Sequence, residues 1–445
     1  MSQKKRFAAV GTGGRIAMFI DPIARTYGDA CELVAFCDLS QIRMDYHRGR
    51  LAKSFGYRGK IKTYAPDDFE RMIDETRPDV VVVCTKDSLH HEYIVRALRK
   101  GCEVICEKPI TVDDEKCRAI QQAVEATGGK VRVTFNVRWM PGPTKVKELI
   151  GQGVIGSVKH VALEYMLNTE HGADYFRRWH SEKASSGGLL VHKSTHHFDL
   201  VNWWLDGIPQ TVYAMGDLVF YGKKNAIARG QEELTRYERY LGSNNPEDPF
   251  FFDVTAGSAN EVYRKAEADS GYVRDRNVFR DGIDIEDSMS VLVRYRDGVM
   301  FNYSLNAFCP IEGFRASLSG DKGRIDFEHF TGSHLITGQS DEQLAKEQGS
   351  AFTRLIVRPL FGKAYEVEVP EGVGGHGGGD VLLQEQMFSP NPSEDSLGRS
   401  AGHEQGAVSA LIGIAANQSI ASGKPVRIDD LLCIKPGAVR LHELI

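Results

Sequence analysis

A glycine-rich turn, a carboxylate behind it and an imidazole-rich stretch are the parts of this sequence whose types and spacing could do chemistry. The apolar run Phe7-Ala8-Ala9-Val10 leads straight into Gly11-Thr12-Gly13-Gly14-Arg15-Ile16. Glycines at 11 and 13 let backbone N–H groups approach a pyrophosphate at a helix N-terminus, where the peptide dipoles favour negative charge. The third glycine of a G-x-G-x-x-G motif is missing, because Ile16 stands there. Context carries the reading: a second apolar run, Glu32 to Cys37, ends on Asp38, at about the 20-residue distance a ribose-binding carboxylate needs. A carboxylate at that place accepts both ribose hydroxyls and repels a 2′-phosphate, which favours NAD over NADP. The alternative for Asp38 is a cap for a helix from Leu39 onward.

The segment His171-Gly-Ala-Asp-Tyr-Phe-Arg-Arg-Trp-His180 packs two histidines, two arginines, a tyrosine and a tryptophan into ten residues. Aromatic faces beside bidentate donors suit a sugar ring, with its apolar C–H faces and its rim of hydroxyls. Tyr175, Arg178 and His180 are the expected substrate contacts; the competing reading is a core helix with Phe176 and Trp179 inward and the arginines in solvent. Metal chemistry is not expected. The eight cysteines (31, 37, 84, 102, 106, 117, 309, 433) never form C-x-x-C, and Cys102 with Cys106 has no histidine at zinc spacing. They read as reduced, mostly buried thiols of a cytoplasmic protein.

These groups need a scaffold that brings them together. The first third alternates strand and helix: after the two apolar runs come Val80 to Cys84 and Glu103 to Cys106, separated by amphipathic stretches holding Phe69, Met72 and Ile73, then Tyr93, Ile94, Ala97 and Leu98. Near-continuous apolar strands between helices imply a doubly wound parallel α/β sheet covered on both faces, with ligands at the carboxyl ends of its strands. The length of 445 residues allows two or three domains. A Rossmann domain over 1–130 and a second domain over 131–445 are expected, the latter with alternating strands at Val158 to Met166, Met289 to Tyr295 and Val299 to Leu305. Lys and Arg number 55 against 60 Asp and Glu, a net charge of −5, which lacks the basic footprint of a nucleic-acid binder. The longest apolar block is strand-sized and far short of a membrane helix, and the start, Met-Ser-Gln-Lys-Lys-Arg, is followed by too few apolar residues for a signal peptide.

At Glu107-Lys108-Pro109 the sequence resembles the Gfo/Idh/MocA family of sugar and cyclitol oxidoreductases. The resemblance spans nearly the whole chain and also rests on Gly11–Arg15, Thr85-Lys-Asp-Ser-Leu-His90, Asn136-Val-Arg138, Ile155-Gly-Ser-Val158 and Gly187-Gly-Leu-Leu-Val-His-Lys-Ser-Thr-His-His-Phe-Asp199. Leu318–Arg324 and Ile414–Ile420 match further family segments. The resemblance implies a second domain built on an open, mainly antiparallel sheet that also forms a dimer or tetramer contact. It implies NAD held by Gly11, Thr12, Gly13, Gly14, Arg15, Ile16, Asp38, Thr85, His90, Glu107 and Lys108. Lys108 would lie beside the nicotinamide and stabilise charge on the reacting oxygen, with Glu107 orienting it.

The family's second motif, roughly G-G-x-L-x-D-x-G-x-H-x-x-D, is altered here: His192 replaces the first aspartate and Lys193 follows it, while His196 and Asp199 are kept. An imidazole titrates near neutrality and can act as base or acid, so His192, Lys193 and His196 are all candidates for taking the proton. Arg138 and Asp199 are expected near the substrate, Asp199 as a partner that orients a histidine or as a helix-face hydrogen bond rather than as a base, and His197 as a supporting residue. His376, in the glycine cluster Gly372–Asp380, is a further expected substrate contact, the alternative being a plain flexible loop. The turn-rich, periodically aromatic stretch at about 222–284 reads as an ordered insertion that covers the active site or extends the oligomer contact. The function implied is NAD-dependent oxidation of a secondary hydroxyl of a sugar, glycoside or cyclitol. The alternatives are an NAD-dependent glycoside hydrolase that oxidises the ring transiently, and an idle sensor of nucleotide and sugar.

Overall fold

The computed structural model of the chain describes residues 3–243, 245, 247–332, 351–372 and 374–444. Its first sheet is built from β1 (Lys5–Val10), β2 (Cys31–Cys37), β3 (Lys62–Tyr64), β4 (Val80–Val83), β5 (Glu103–Cys106) and β6 (Val131–Val133), in the spatial order β6-β5-β4-β1-β2-β3. All these neighbours pair in parallel. Helices cover both faces, so the strands are apolar throughout: Phe7, Ala8, Ala9 and Val10, like Val80 to Val83, are essentially inaccessible. The chain leaves β1 toward β2 on one side and later returns at β4 on the other. The ends of β1 and β4 therefore open into a crevice, the place where such sheets take their ligands. β6 belongs to this sheet, so strand pairing carries the first domain past the expected boundary at 130. A short edge strand from far along the chain, β15 (Ala401–Gly402), pairs antiparallel to β6.

The second sheet contains β7 (Val158–Asn168), β8 (Pro209–Asp217), β9 (Ser288–Tyr295), β10 (Met300–Cys309), β11 (Glu312–Gly320), β12 (Gly323–Gly332), β13 (Phe352–Pro359), β14 (Tyr365–Glu366) and β16 (Val426–Arg427). Its order is β14-β13-β12-β11-β7-β10-β9-β8-β16, antiparallel throughout except for β7 beside β10. Period-two patterning sets its faces: Val291, Val293 and Tyr295 are buried while Leu292 between them is half exposed. The buried face packs against helix Thr195–Leu205, buried along its whole length, and against helix His403–Ser422, buried from Gln405 to Ala416. The stretch between β8 and β9 is ordered where it is described. Tyr221, Tyr240, Phe250 and Phe279 form its own aromatic core, with Phe176 stacked on Tyr221 at 4.0 Å between ring centres.

Two expected substrate contacts turn out to be structural. Arg138 and Asp199 form a bidentate ion pair at 2.7 and 2.6 Å, with side chains 0% and 1% exposed. Arg138 also donates to Gln405 Oε1 at 2.7 Å, and Asp199 accepts from Ser409. The pair ties the loop after β6 to two helices of the second domain, and Asp199 orients an arginine rather than a histidine. Arg138→Met would strand a buried carboxylate, so a loss of roughly 3–5 kcal/mol of stability is expected. Urea unfolding of Arg138→Met, and of Arg138→Met with Asp199→Leu, checks this. The double variant should recover most of the loss, and a single-variant cost under about 1 kcal/mol would show that the pair does not hold the domains together.

Candidate active site

At the end of β1 only glycine fits residue 11: its φ is +83°, and a Cβ there would stand 2.4 Å from the Cys84 carbonyl oxygen at the end of β4. Gly13 lies under open space, since a Cβ added to it would meet nothing within 4 Å. The chain then turns through Gly14–Ile16 into helix Ala17–Arg25. Ile16, in the third-glycine position, is buried in the core behind the turn. Asp38 accepts from the Thr12 N–H at 2.6 Å and from the Ser40 N–H at 2.8 Å, and stands 3.7 Å from Arg43. Ser40, not Asp38, caps helix Gln41–Phe55 by accepting from the Arg43 N–H. The Thr12 hydroxyl is buried with no partner among the described residues. Open space over Gly13, a carboxylate joined to the turn, and an orphaned hydroxyl beneath it fit a dinucleotide laid across the strand ends.

The other cofactor candidates divide. Arg15 Nε donates to Glu107 Oε1 at 2.7 Å, and Glu107 Oε2 accepts from the Lys108 N–H at 3.1 Å, so these three join the turn to the end of β5. Thr85 follows β4 and is partly exposed at the crevice. His90 lies elsewhere: it is 1% exposed, with its ring nitrogens against the carbonyls of Pro109 at 2.8 Å and Thr85 at 3.3 Å. It props the two loops that flank the crevice instead of facing a ligand.

Across the crevice Lys108 meets the second domain. Its ammonium donates to the His192 carbonyl at 3.0 Å and lies 3.5 Å from His192 Nε2. His192 Nδ1 is 2.5 Å from Asp87 Oδ2, making the series Lys108–His192–Asp87. Burial pushes the Asp87 carboxyl well up and the His192 imidazole well down, and Lys108 opposes a charge on the imidazole further. Burial also lowers the Lys108 ammonium, against the pull of Glu107 and Asp87. His180 stacks on Trp179 at 3.7 Å and meets His192 at 4.2 Å between ring centres; Tyr175 sets its edge to both. A second polar chain runs from the Tyr175 hydroxyl to His171 (3.0 Å) and on to Glu312 (2.7 Å), with Lys193 over the Tyr165 ring beside it.

His192 and His196 do not share a helix. Leu189–His192 ends, Lys193 and Ser194 form a turn, and a new helix starts at Thr195. The break lets the Ser194 N–H reach the Leu189 carbonyl and sends Lys193 toward Tyr165 while His192 faces Lys108. His196 lies against Phe135, and His197 is held by the Tyr303 hydroxyl at 2.9 Å, in a supporting place. The backbone at His376 begins a tight turn, and its side chain lies outside the described residues.

Several site residues escape sequence reasoning. Asp87 sits inside a quoted family segment, but nothing local marks it as a histidine's partner. Glu312 and the insertion residue Arg274 reach the site only through tertiary folding. The insertion itself lies on the glycine turn: the Tyr263 hydroxyl accepts from the Gly14 N–H at 3.0 Å, Arg43 donates to the Val262 carbonyl and to Ser270, and Ser40 donates to Asp269. Among the described residues no cluster of three or more metal-binding side chains occurs, and no helix is long and apolar enough to cross a membrane.

Comparison with known proteins agrees with this division of the chain. Residues 5–135 match the family described as oxidoreductase, NAD-binding Rossmann fold, and residues 147–428 match its C-terminal α/β domain. YteT of Bacillus subtilis, provisionally named an oxidoreductase, is 33% identical over 431 residues, covering 93% of this chain and 95% of that one. D-glucoside 3-dehydrogenase of Escherichia coli is 27% identical over 213 residues, 47% of this chain and 56% of the enzyme. Among solved structures, the WlbA dehydrogenase of Bordetella pertussis, in complex with NADH and UDP-GlcNAcA, shares the fold with a TM-score of 0.61 at 18% identity, over 96% of this chain and 98% of that one.

Burial lowers the Lys193 ammonium to about 8, while Glu312 acts to raise it. Between about pH 8 and 10 the unfolded chain then holds a proton on this lysine that the folded chain has released, so stability rises with pH across that window. Lys193→Met removes the rise. Relative to wild type the variant should gain on the order of 1–2 kcal/mol at pH 7 and lose that gain by pH 10, read from urea midpoints; a pH-independent difference would show that Lys193 is not held this way.

Proposed function

The chain belongs to the Gfo/Idh/MocA oxidoreductase family, and we propose that it is an NAD-dependent dehydrogenase acting on a secondary hydroxyl of a sugar, glycoside or cyclitol. The observation that carries this reading is the Lys108–His192–Asp87 series, placed at the end of β5 beside a turn that fits a dinucleotide. Bound there, the nicotinamide would supply the hydride acceptor at its C4. Glu107 and Arg15 would hold the loop that carries Lys108, and Asp38, at the end of β2, would take the ribose and disfavour a 2′-phosphate.

Lys108 has the features of the group that meets the reacting hydroxyl. It is half-buried, its ammonium is weakened, and one of its hydrogen bonds goes to a carbonyl that fixes its direction. In its neutral form it can accept the hydroxyl proton as the hydride leaves the same carbon. The imidazole of His192, 3.5 Å away, is next in line, and Asp87 behind it fixes the ring. In the reverse direction the ammonium returns the proton and stabilises the developing alkoxide. Tyr175, Trp179 and His180 pack on one another and on the His192 ring, giving the hydride end an aromatic wall of the kind a sugar ring needs. The sugar-oxidising relative and the solved dehydrogenase bound to NADH support both the substrate class and the cofactor.

The assay follows NADH and aglycone release together, on a panel of sugars and aryl glycosides supplied with NAD. Net NADH is expected; aglycone released without net NADH would instead assign the transient-oxidation hydrolase. Lys108→Met should lower turnover by roughly 10²- to 10⁴-fold with NAD affinity unchanged, and Asp87→Asn should lower it less while altering the pH profile. A Lys108→Met enzyme at full rate would overturn the assignment, and a preference for NADP would overturn the role given to Asp38.

A further inference from the structure

Beside the imidazole cluster, three arginines share one carboxylate. Asp174 Oδ1 accepts from Arg274 Nη2 at 2.5 Å, Asp174 Oδ2 accepts from Arg178 Nη1 at 3.2 Å, and Arg177 stands 3.9 Å from the same group. Arg177 is otherwise engaged with the Phe250 carbonyl. Arg274, from the insertion, is 9% exposed and lies over the rings of Phe252 (4.5 Å) and Tyr263 (5.6 Å). Its Nε and Nη1, and Nε of Arg178, have no hydrogen-bond partner among the described residues. Buried guanidinium N–H groups left unpaired are costly, so positive charge beyond what Asp174 neutralises calls for an anion.

The location separates a substrate anion from the cofactor's pyrophosphate. Apart from burial, the charge of Arg178 is felt at Lys108, Asp87, His180 and His192, and that of Arg274 at His180. At the glycine turn Arg15 is instead held by Glu107, its Nε donating to Oε1 at 2.7 Å. The two arginines therefore attend the hydride end, next to the Tyr175–Trp179–His180 face.

Resting on the dehydrogenase reading above, we propose that the substrate is an anionic sugar, one bearing a carboxylate or a phosphate, whose oxyanion is bound by Arg274 and Arg178. A planar guanidinium fork matches such a group bidentately, and two of them beside the aromatic cluster would fix which carbon meets Lys108.

Titration calorimetry on the full chain saturated with NADH tests this with glucuronate, galacturonate, glucose 6-phosphate, glucose and galactose. A uronate or the sugar phosphate should bind at least tenfold more tightly than the neutral sugars, and which of the two wins identifies the oxyanion. Arg274→Gln and Arg178→Gln should each weaken the anionic sugar about 10- to 100-fold, while leaving neutral sugars and NADH unchanged. Arg274→Lys, which keeps the charge but not the fork, should fall between. Equal binding of neutral and anionic sugars, or no loss in either glutamine variant, overturns the proposal even where NADH-producing turnover of neutral sugars upholds the dehydrogenase. Weakened NADH in place of weakened sugar overturns it too, assigning the arginines to the cofactor's phosphates. Turnover of no sugar, with the anionic sugar still bound and still lost on Arg274→Gln, would instead overturn the dehydrogenase reading alone.

Discussion

The ammonium of Lys108 is the point on which the rest of the site depends. It extends from the end of β5 in the first domain, and its hydrogen bond goes to a backbone carbonyl of the second. An ammonium is affordable there only because the crevice supplies opposite charge, Glu107 behind it and Asp87 beyond His192. Each of those is itself fixed: Glu107 by Arg15 from the glycine turn, and Asp87 by the His192 ring. A shift of either domain would stretch the same few bonds. The Arg138–Asp199 pair spans the same two units and is a second, fully buried tie between them.

Much of this architecture could be read from the chain because it follows from local pattern. Apolar runs separated by amphipathic stretches specify the parallel sheet, and the turn after the first run marks its ligand-binding edge. Lys108 and His192 come forward only through the family resemblance, and Tyr175 through the density of aromatic and basic residues around it. What could not be read are relations over long separations: Asp87 to His192 spans 105 positions, His171 to Glu312 spans 141, and Asp174 to Arg274 spans 100. Arg138 and Asp199 were misjudged for a related reason. A charged residue in a family segment looks the same in sequence whether it faces a substrate or lies fully buried on a partner. His90 shows it again, since its ring is buried between two backbone carbonyls rather than turned to the crevice.

The insertion between β8 and β9 explains why one segment matters at both ends of the crevice. Tyr263 sits on the Gly14 N–H, and Val262, Ser270 and Asp269 engage Arg43 and Ser40 at the ribose side. A few residues later, Arg274 reaches Asp174 and the aromatic face. The link is physical, because Arg274 lies over the ring of the same Tyr263 whose hydroxyl touches the turn. One ring of the insertion thus bears both on the backbone of the glycine turn and on a guanidinium beside the imidazole cluster, so the insertion ties these two ends of the crevice together by packing alone.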